Sequence, residues 1–562
     1  MKFGEIQKKV SSLYQNPGAS ASEYLLLAKA LDDTDANNLP PYVRTIKAAF
    51  LGSYTIQGLP EIYMARGGFH NLRIQTYLAP YNQFTQESIN AQSGLAAFDP
   101  EIVFVALDTP DVMDAKHLET VGRGLLEHTR AKIFFFNFMP SWQASGAHVQ
   151  DMNAVLADLE KNEERIVIFD FVKFLDRIGT SNHWYTKYKE LGDLRLAPAA
   201  FVPLSEELMR YAVARAGSTK KCLILDLDNT LWRGIIGEDG MAGIVPDRAV
   251  QEYIVALHEK GIILAVNSKN NAEDAREVFE HHPDMILKEH HIAAWRANWQ
   301  GKERNIAEIA EELNLGTDSF VFIDDSKFEQ ERVKTVFPEI AILSSDLLTN
   351  FAGFYSFNIT EEDMRRGAMY VEERKRKEFH GSLPSEDEFL SELGLSLVIR
   401  KCLEHDIVRV SKLTQKTNQF NVATRRYTPE EIRSRMQDDG WNIWVAEAKD
   451  RFGDYGIIGI AMVERLQDSA RIDNFLLSCR ILGRKVEEVF LHTIMDSACK
   501  DGAGRIIGEF IPTKKNILCE SFFSDHGFGL VSSGENQYIY HWTPEGNSYM
   551  YPHFIEVMLT KL

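Results

Sequence analysis

Short apolar runs bounded by polar residues recur along the chain and alternate with stretches of helical spacing. In the first third they fall at residues 46–51, 102–107, 133–138 and 166–171, which predicts a doubly wound α/β domain over residues 1–215. A second set fills residues 216–350, where the runs at 222–225, 262–266 and 320–323 are apolar throughout, as in strands buried on both faces. Residues 351–392 break the pattern. They carry Arg365, Arg366, Glu372, Glu373, Arg374, Lys375, Arg376, Lys377 and Glu378 and read as a solvated connecting helix. Residues 393–562 form a further domain, in which a strand at 471–478 turns at 479–485 into a helix. No internal repeat is visible; the two α/β halves share a period, not a sequence.

Each central run ends in residues suited to a metal or a phosphoryl group. The first stops at Asp226 and Asp228, which share a face if the extension continues. Two such carboxylates repel unless a cation neutralises them. The plainer alternative is a strand-to-helix turn in which Asp228 or Asn229 caps a helix. The second run ends in Asn267 and Ser268, the latter a small hydroxyl able to hold a phosphoryl oxygen. The third ends in Asp324 and Asp325, able to complete an oxygen-rich Mg²⁺ site. Lys302 offers a cation to offset charge on a nucleophile, or is a solvated lysine at a helix start. Ligands of open α/β sheets bind at the carboxyl edge, so these four elements are expected to converge there.

Composition narrows the classes. A chain of 562 residues has room for about three domains. The formal charge of −19 argues against a nucleic-acid partner, which needs clustered Lys and Arg. No charged, apolar and small-residue leader opens the chain and no apolar run approaches a membrane span, so no membrane partner is expected. Cysteines 222, 402, 479, 499 and 519 form no CxxC pair, which points to a reducing cytoplasm.

The Asp226-to-Thr230 stretch, DLDNT, together with Ser268, Lys302 and the Asp324–Asp325 pair, resembles the haloacid dehalogenase (HAD) superfamily of aspartate-nucleophile phosphotransferases. The resemblance implies that Asp226 attacks phosphorus and Asp228 acts as general acid/base. It implies that Thr230, Ser268 and Asn267 bind the phosphoryl substrate, that Lys302 neutralises charge, and that Asp226, Asp228, Asp324 and Asp325 hold Mg²⁺. Residues 231–251, with Gly234, Gly237, Gly240 and Gly243, fit a small flap rather than a large cap, leaving room for a bulky or protein-borne substrate.

Longer stretches are similar to the FkbH-like family: residues 226–244 (DLDNTLWRGIIGEDGMAGI), 266–270 (VNSKN), 413–427 (LTQKTNQFNVATRRY), 450–456 (DRFGDYG) and 476–484 (LLSCRILGR). In that family a HAD phosphatase module precedes a GNAT-like acyltransferase module, and members are associated with making glyceryl carrier-protein thioesters from an acyl phosphate. The implied fold class is α/β, with a HAD-type Rossmann-like parallel sheet in the centre. A flavodoxin- or SGNH-like α/β domain would precede it and a GNAT-like α+β domain would follow over residues 393–562. Implied cofactors are Mg²⁺ and either acyl-CoA or the phosphopantetheine of a carrier protein; implied partners are a small phosphorylated substrate and an acyl carrier protein.

In the last domain Arg480 and Gly483 match a GNAT turn that offers backbone N–H groups to a pyrophosphate, with Lys485 where Gly or Ala is preferred. Asn516 and Phe523 fall where GNATs place an Asn and a proton-donating Tyr. Cys479 is either an acyl-carrying thiol or a small core cysteine. Asn418, Gln419, Asn421, Arg425 and Arg426 either order a loop or bind the polar acyl group. Leu227 between the motif aspartates leaves no thiol at the HAD site. In the first domain Ser53, Asn137 and His183 loosely resemble an SGNH hydrolase, with Gly-Ser-Tyr in place of Gly-Asp-Ser; the alternative is a capping serine and a packed histidine in a docking module. Rival readings for the whole are a plain phosphatase of a sugar or metabolite, or a scaffold with degenerate flanking domains.

Overall fold

A computed structural model describes every residue except 1–2, 17, 33–43, 140–145, 185–188, 358, 360, 418, 514, 535–536, 545–548 and 560–562, with the side chains of 3–5, 7, 191, 361–362, 416 and 479 also set aside. The fold is mixed α/β and divides into two compact units, Met1–Val371 and Glu372–Leu562.

The first unit holds two five-stranded parallel sheets. Strands β1 (Arg44–Gly52), β2 (Leu72–Leu78), β3 (Ile102–Ala106), β4 (Lys132–Phe136) and β5 (Ile166–Phe169) are ordered β2-β1-β3-β4-β5. The order reverses between β1 and β3, which opens a crevice beyond their carboxyl ends. Helices cover both faces, as the apolar central strands β3 and β4 require.

The second sheet starts with β6 (Cys222–Leu225), followed by a two-stranded antiparallel ribbon of β7 (Trp232–Arg233) and β8 (Val245–Pro246). It continues with β9 (Ile263–Ser268), β10 (Ile292–Ala297), β11 (Phe320–Ile323) and β12 (Ala341–Leu343), ordered β10-β9-β6-β11-β12. All four residues of β6 are 0% exposed. Each apolar side chain buried there contributes on the order of 2 kcal/mol. Ribbon β7–β8 and the short helix Ile236–Gly243 are the only elements between β6 and helix Arg248–Glu259.

The two sheets share a buried polar tie. Glu206, on helix Phe201–Ala216, accepts hydrogen bonds from Tyr14, from Arg66 and from the Ala352 N–H. It is 5% exposed. Tyr14 also stacks on Phe69, with ring centres 3.5 Å apart.

The second unit is built on one largely antiparallel sheet. Its strands are β13 (Leu395–Lys401), β14 (Phe420–Asn421), β15 (Trp441–Asp450), β16 (Gly453–Arg465), β17 (Ala470–Leu477), β18 (Ile506–Phe510), β19 (Gly529–Gly534), β20 (Gln537–Trp542) and β21 (Ile555–Leu559). The order is β19-β20-β18-β17-β16-β15-β13-β21. Parallel β17 and β18 pair only over Ala470–Ile472 and then part. Strand β14 lies in the fork, with Phe420 and Asn421 opposite Leu477 and Leu476. Its backbone is held from both sides, Val422 N–H by Phe475 O and Val422 O by Ile511 N–H. Thr424, just beyond, has φ +50, costly for a β-branched residue.

The charged segment is not simply solvated. Helix Glu361–Gly381 buries Arg374 and Arg376. Arg376 pairs with Asp450 at 2.6 Å and lies over the Tyr455 ring, so composition alone misjudged a helix whose arginines complete a polar core. Among the described residues, no helix is long and apolar enough to cross a membrane, and Cys222, Cys402, Cys499 and Cys519 are free.

Candidate active site

Leu225 stands in register with Val266 on one side and Ile323 on the other. Asp226, Asn267 and Asp324 therefore stand at one level of the carboxyl edge. Asp226 is 4% exposed. Its Oδ1 accepts from Ser268 Oγ at 2.8 Å and from Lys302 Nζ at 2.7 Å, and its Oδ2 faces Thr230 Oγ1 at 3.4 Å. Lys302 opens helix Lys302–Leu313 and also donates to Asp324. Burial alone would depress this lysine, but the charges of Asp226 and Asp324 outweigh it and hold the ammonium above its ordinary range.

Asp226, Asp324 and Asp325 each place a carboxylate oxygen within 4.8 Å of the others. Burial, and then the charge of Asp226, pushes Asp324 up to about 6 despite Lys302; Asp325 is raised for the same first reasons. A hard divalent cation relieves that crowding, and an all-oxygen donor set suits Mg²⁺. These three residues would hold it.

Asp228 stands outside the group, which corrects the four-carboxylate metal set. Asn229 takes φ +54, ending the extension, and the Asp228 carboxylate turns to the flap. It accepts from Trp232 Nε1 at 2.8 Å, Ile236 N at 3.1 Å and Asn270 Nδ2 at 3.0 Å. Asn267 is a second correction. It is 0% exposed, its Nδ2 donates to Lys302 O at 3.0 Å and its Oδ1 accepts from Asn305 at 3.0 Å, so it holds the helix that carries Lys302 rather than facing a substrate. Sequence reasoning missed Trp232, Asn270 and Asn305. Asn270 lies two residues after Ser268 in VNSKN, a spacing that marks it.

In the first sheet, β1 delivers Ser53 into the crevice, but no triad forms. Ser53 is 1% exposed; its hydroxyl donates to Asp111 at 2.6 Å and accepts from Asp108 N at 2.9 Å. Arg195 clamps Asp108, Asp111 and Asp193. Asn137 bonds Asp170 and the Val172 N–H, and His183 Nδ1 donates to Gly179 O. The Asp111 carboxylate and the Asp108 N–H, both from the segment after β3, take the serine hydroxyl, and the other two residues are used in local turns.

In the second unit Asn516 is 0% exposed and fully engaged. It accepts from Thr513 and donates to Asn421 O and Ile511 O, bracing the fork. Phe523 is 0% exposed and packs on Phe528 and Tyr540. Asn421 bonds Thr417 O and Thr424 N–H, Arg425 pairs with Asp473 and Glu509, and Arg426 donates to Gln415 O. That cluster orders the segment; Asn418 lies outside the described residues. Gly483 has φ +78, and the helix after it, Val486–Lys500, opens with Glu487 and Glu488, which already complement its N-terminal dipole. Arg480 donates toward Ser478 Oγ at 3.5 Å and its carbonyl accepts from Arg484. Cys479 starts the turn Cys479–Ile481; its side chain lies outside the described residues.

No protein-family model matches the chain, and no curated protein matches it. Among solved structures it is similar to the N-terminal part of BF1531 from Bacteroides fragilis, containing a phosphatase domain complexed with Mg, at 26% identity and TM-score 0.49 over 60% of this chain and 98% of that one. It is also similar to the ribosomal-protein-S18-alanine N-acetyltransferase of Escherichia coli, at 12% identity and TM-score 0.22, over 27% of this chain and 99% of that one. A PaiA N-acetyltransferase from Thermoplasma acidophilum in complex with coenzyme A matches at 15% identity and TM-score 0.21, over 26% and 99%.

Proposed function

We propose that the first unit is a Mg²⁺-dependent phosphatase or phosphotransferase of HAD type that works through an aspartyl phosphate. The observation that carries this reading is Asp226 at the end of a buried strand, bonded to Ser268 and Lys302 and clustered with Asp324 and Asp325. An Asp226 oxygen bonds to phosphorus as the bond to the leaving oxygen breaks, and Asp228 gives that oxygen a proton. Asp228 then takes a proton from water, whose oxygen attacks the phosphorus; inorganic phosphate departs and Asp226 is restored. Its three N–H donors hold Asp228 in place for both transfers. Bound Mg²⁺ supplies the positive charge that lets a carboxylate approach a phosphoryl anion. Lys302 shares that load.

The test is phosphate release from acetyl phosphate and 4-nitrophenyl phosphate, with and without a chelator. Turnover should need Mg²⁺ and fall by orders of magnitude in Asp226→Asn. Unchanged turnover in that variant would remove the nucleophile from Asp226.

Following the FkbH-like resemblance, the substrate is a small phosphorylated acyl donor, and the second unit passes the acyl group, glyceryl included, to a carrier-protein thiol or an amine in the cytoplasm. A plain phosphatase with flanking recognition domains is the second reading. It is favoured by the inward engagement of Asn516 and by Phe523 in the core. Intact-mass spectrometry with a candidate acyl phosphate and a carrier protein separates them: an acyl adduct supports transfer, and phosphate release without one supports the plain phosphatase.

A further inference from the structure

A cavity of about 530 Å³ opens in the second unit beside the first turns of helix Val486–Lys500. One wall is an unbroken run of rings. Phe420 meets Phe522 edge-on at 5.2 Å, Phe522 lies 4.9 Å from His526, and His526 lies 5.8 Å from His492. His492 in turn stacks on Tyr549, with centres 3.8 Å apart and planes 8° from parallel. The rest of the lining is acidic: Glu487, Glu488 and Asp525 border the cavity, and no lysine or arginine does among the described residues.

These groups are unevenly satisfied. Glu488 accepts from the Tyr549 hydroxyl at 3.1 Å, whereas Glu487 Oε2 is buried without a hydrogen-bond partner. Burial, reinforced by neighbouring Glu488, raises the Glu487 carboxyl, while a hydrogen bond from its own backbone N–H and the charges of His526 and Lys485 pull it back. His526 Nδ1 lies 2.6 Å from Phe522 O, and a carbonyl only accepts, so Nδ1 carries the proton and Nε2 is left as an acceptor when the ring is neutral.

We propose that this cavity is a binding site for an organic ammonium ion. Ring faces attract cations through their quadrupole, the carboxylates supply the countercharge, and the Glu487 oxygen without a hydrogen-bond partner gains a cationic neighbour. A pyrophosphate brought to the same corner meets three carboxylates. The site therefore selects against the anion that the Arg480–Gly483 turn was expected to hold. It belongs to the second unit alone, so phosphate release by the first unit does not bear on it.

The test is calorimetric titration of the full chain at low salt with choline and with 3,3-dimethyl-1-butanol, its neutral isostere. Choline should bind about tenfold more tightly than the alcohol, and Glu487→Gln should cost choline about tenfold while leaving the alcohol unchanged. Should that variant fail to fold, Asp525→Asn, at an exposed position, serves in its place and should weaken choline alone. Equal affinity for the two probes, binding of neither, or displacement of choline by micromolar coenzyme A overturns the assignment.

Discussion

Asn267 shows how little a strand-end residue reveals about the direction it faces. In sequence it stands beside Ser268 and invites the same role; in the fold its neighbour reaches Asp226 while its own amide is spent on Lys302 O and Asn305. Alternation along β9 separates the two, and because every residue of the strand is buried, only the partners met on each face decide which is which. Asn267→Ala is expected to lower kcat by about tenfold to a hundredfold through misplacement of Lys302, with KM little changed. A rise in KM at constant kcat would return Asn267 to the substrate. Lys302 itself was legible because a basic residue between two acid-ending strands has a charge to balance. Lys302→Met leaves Asp226 and Asp324 uncompensated; removing one partner of a buried pair costs about 3–5 kcal/mol. Thermal melting should show that loss in chelator and recovery with Mg²⁺, and a melt unchanged in chelator would deny the lysine its balancing role.

The elements carrying the first-unit site could be placed from their patterns because buried parallel strands are apolar without interruption and end abruptly. Strand β14 could not, since two residues carry no period, nor could the role of the charged helix Glu361–Gly381, whose arginines are read as exposed until Asp450 and Tyr455 are seen beside Arg376. That helix begins against a turn that tolerates only glycine. Gly261 has φ +89, and a Cβ there would lie 1.6 Å from the Asp363 carbonyl oxygen. Gly261→Ala adds the left-handed penalty to a backbone clash and should destabilise the first unit by about 2 kcal/mol or more. Chemical denaturation measures this; a change under half that size would mean the Lys260–Gly261 turn yields easily.

At the scale of the chain, the central strands of the two parallel sheets were legible from spacing, whereas most of the second unit's sheet and the ties that join distant segments were not, because Tyr14, Arg66, Glu206 and Ala352 meet only in three dimensions. Burial would raise the Glu206 carboxyl, but Arg66, His70 and Tyr14 overcome it and hold it at about 2, against 4.5 unfolded. A carboxyl depressed by folding adds stability above its unfolded value and loses it as pH falls toward the folded one, so the first unit should weaken between pH 4.5 and about 2. The full effect is on the order of 3 kcal/mol. Glu206→Gln should flatten that part of the stability profile, and an equally steep acid loss in the variant would place the cause elsewhere.

The fork between β17 and β18 has a temporal meaning as well. Phe420, Leu477 and Ile511 come from three separated stretches of chain, and the middle of the ladder is threaded rather than zipped from a hairpin. Closing such contacts costs chain entropy before any reward arrives. Pulse-labelled exchange during refolding is therefore expected to find the Val422 and Ile511 amides among the last to become protected, with helix Val486–Lys500 formed well before them. A chain still under synthesis leaves β17 and the Val422 carbonyl waiting until residues 506–511 arrive, a window in which an unpaired strand edge is available to a neighbour or a chaperone.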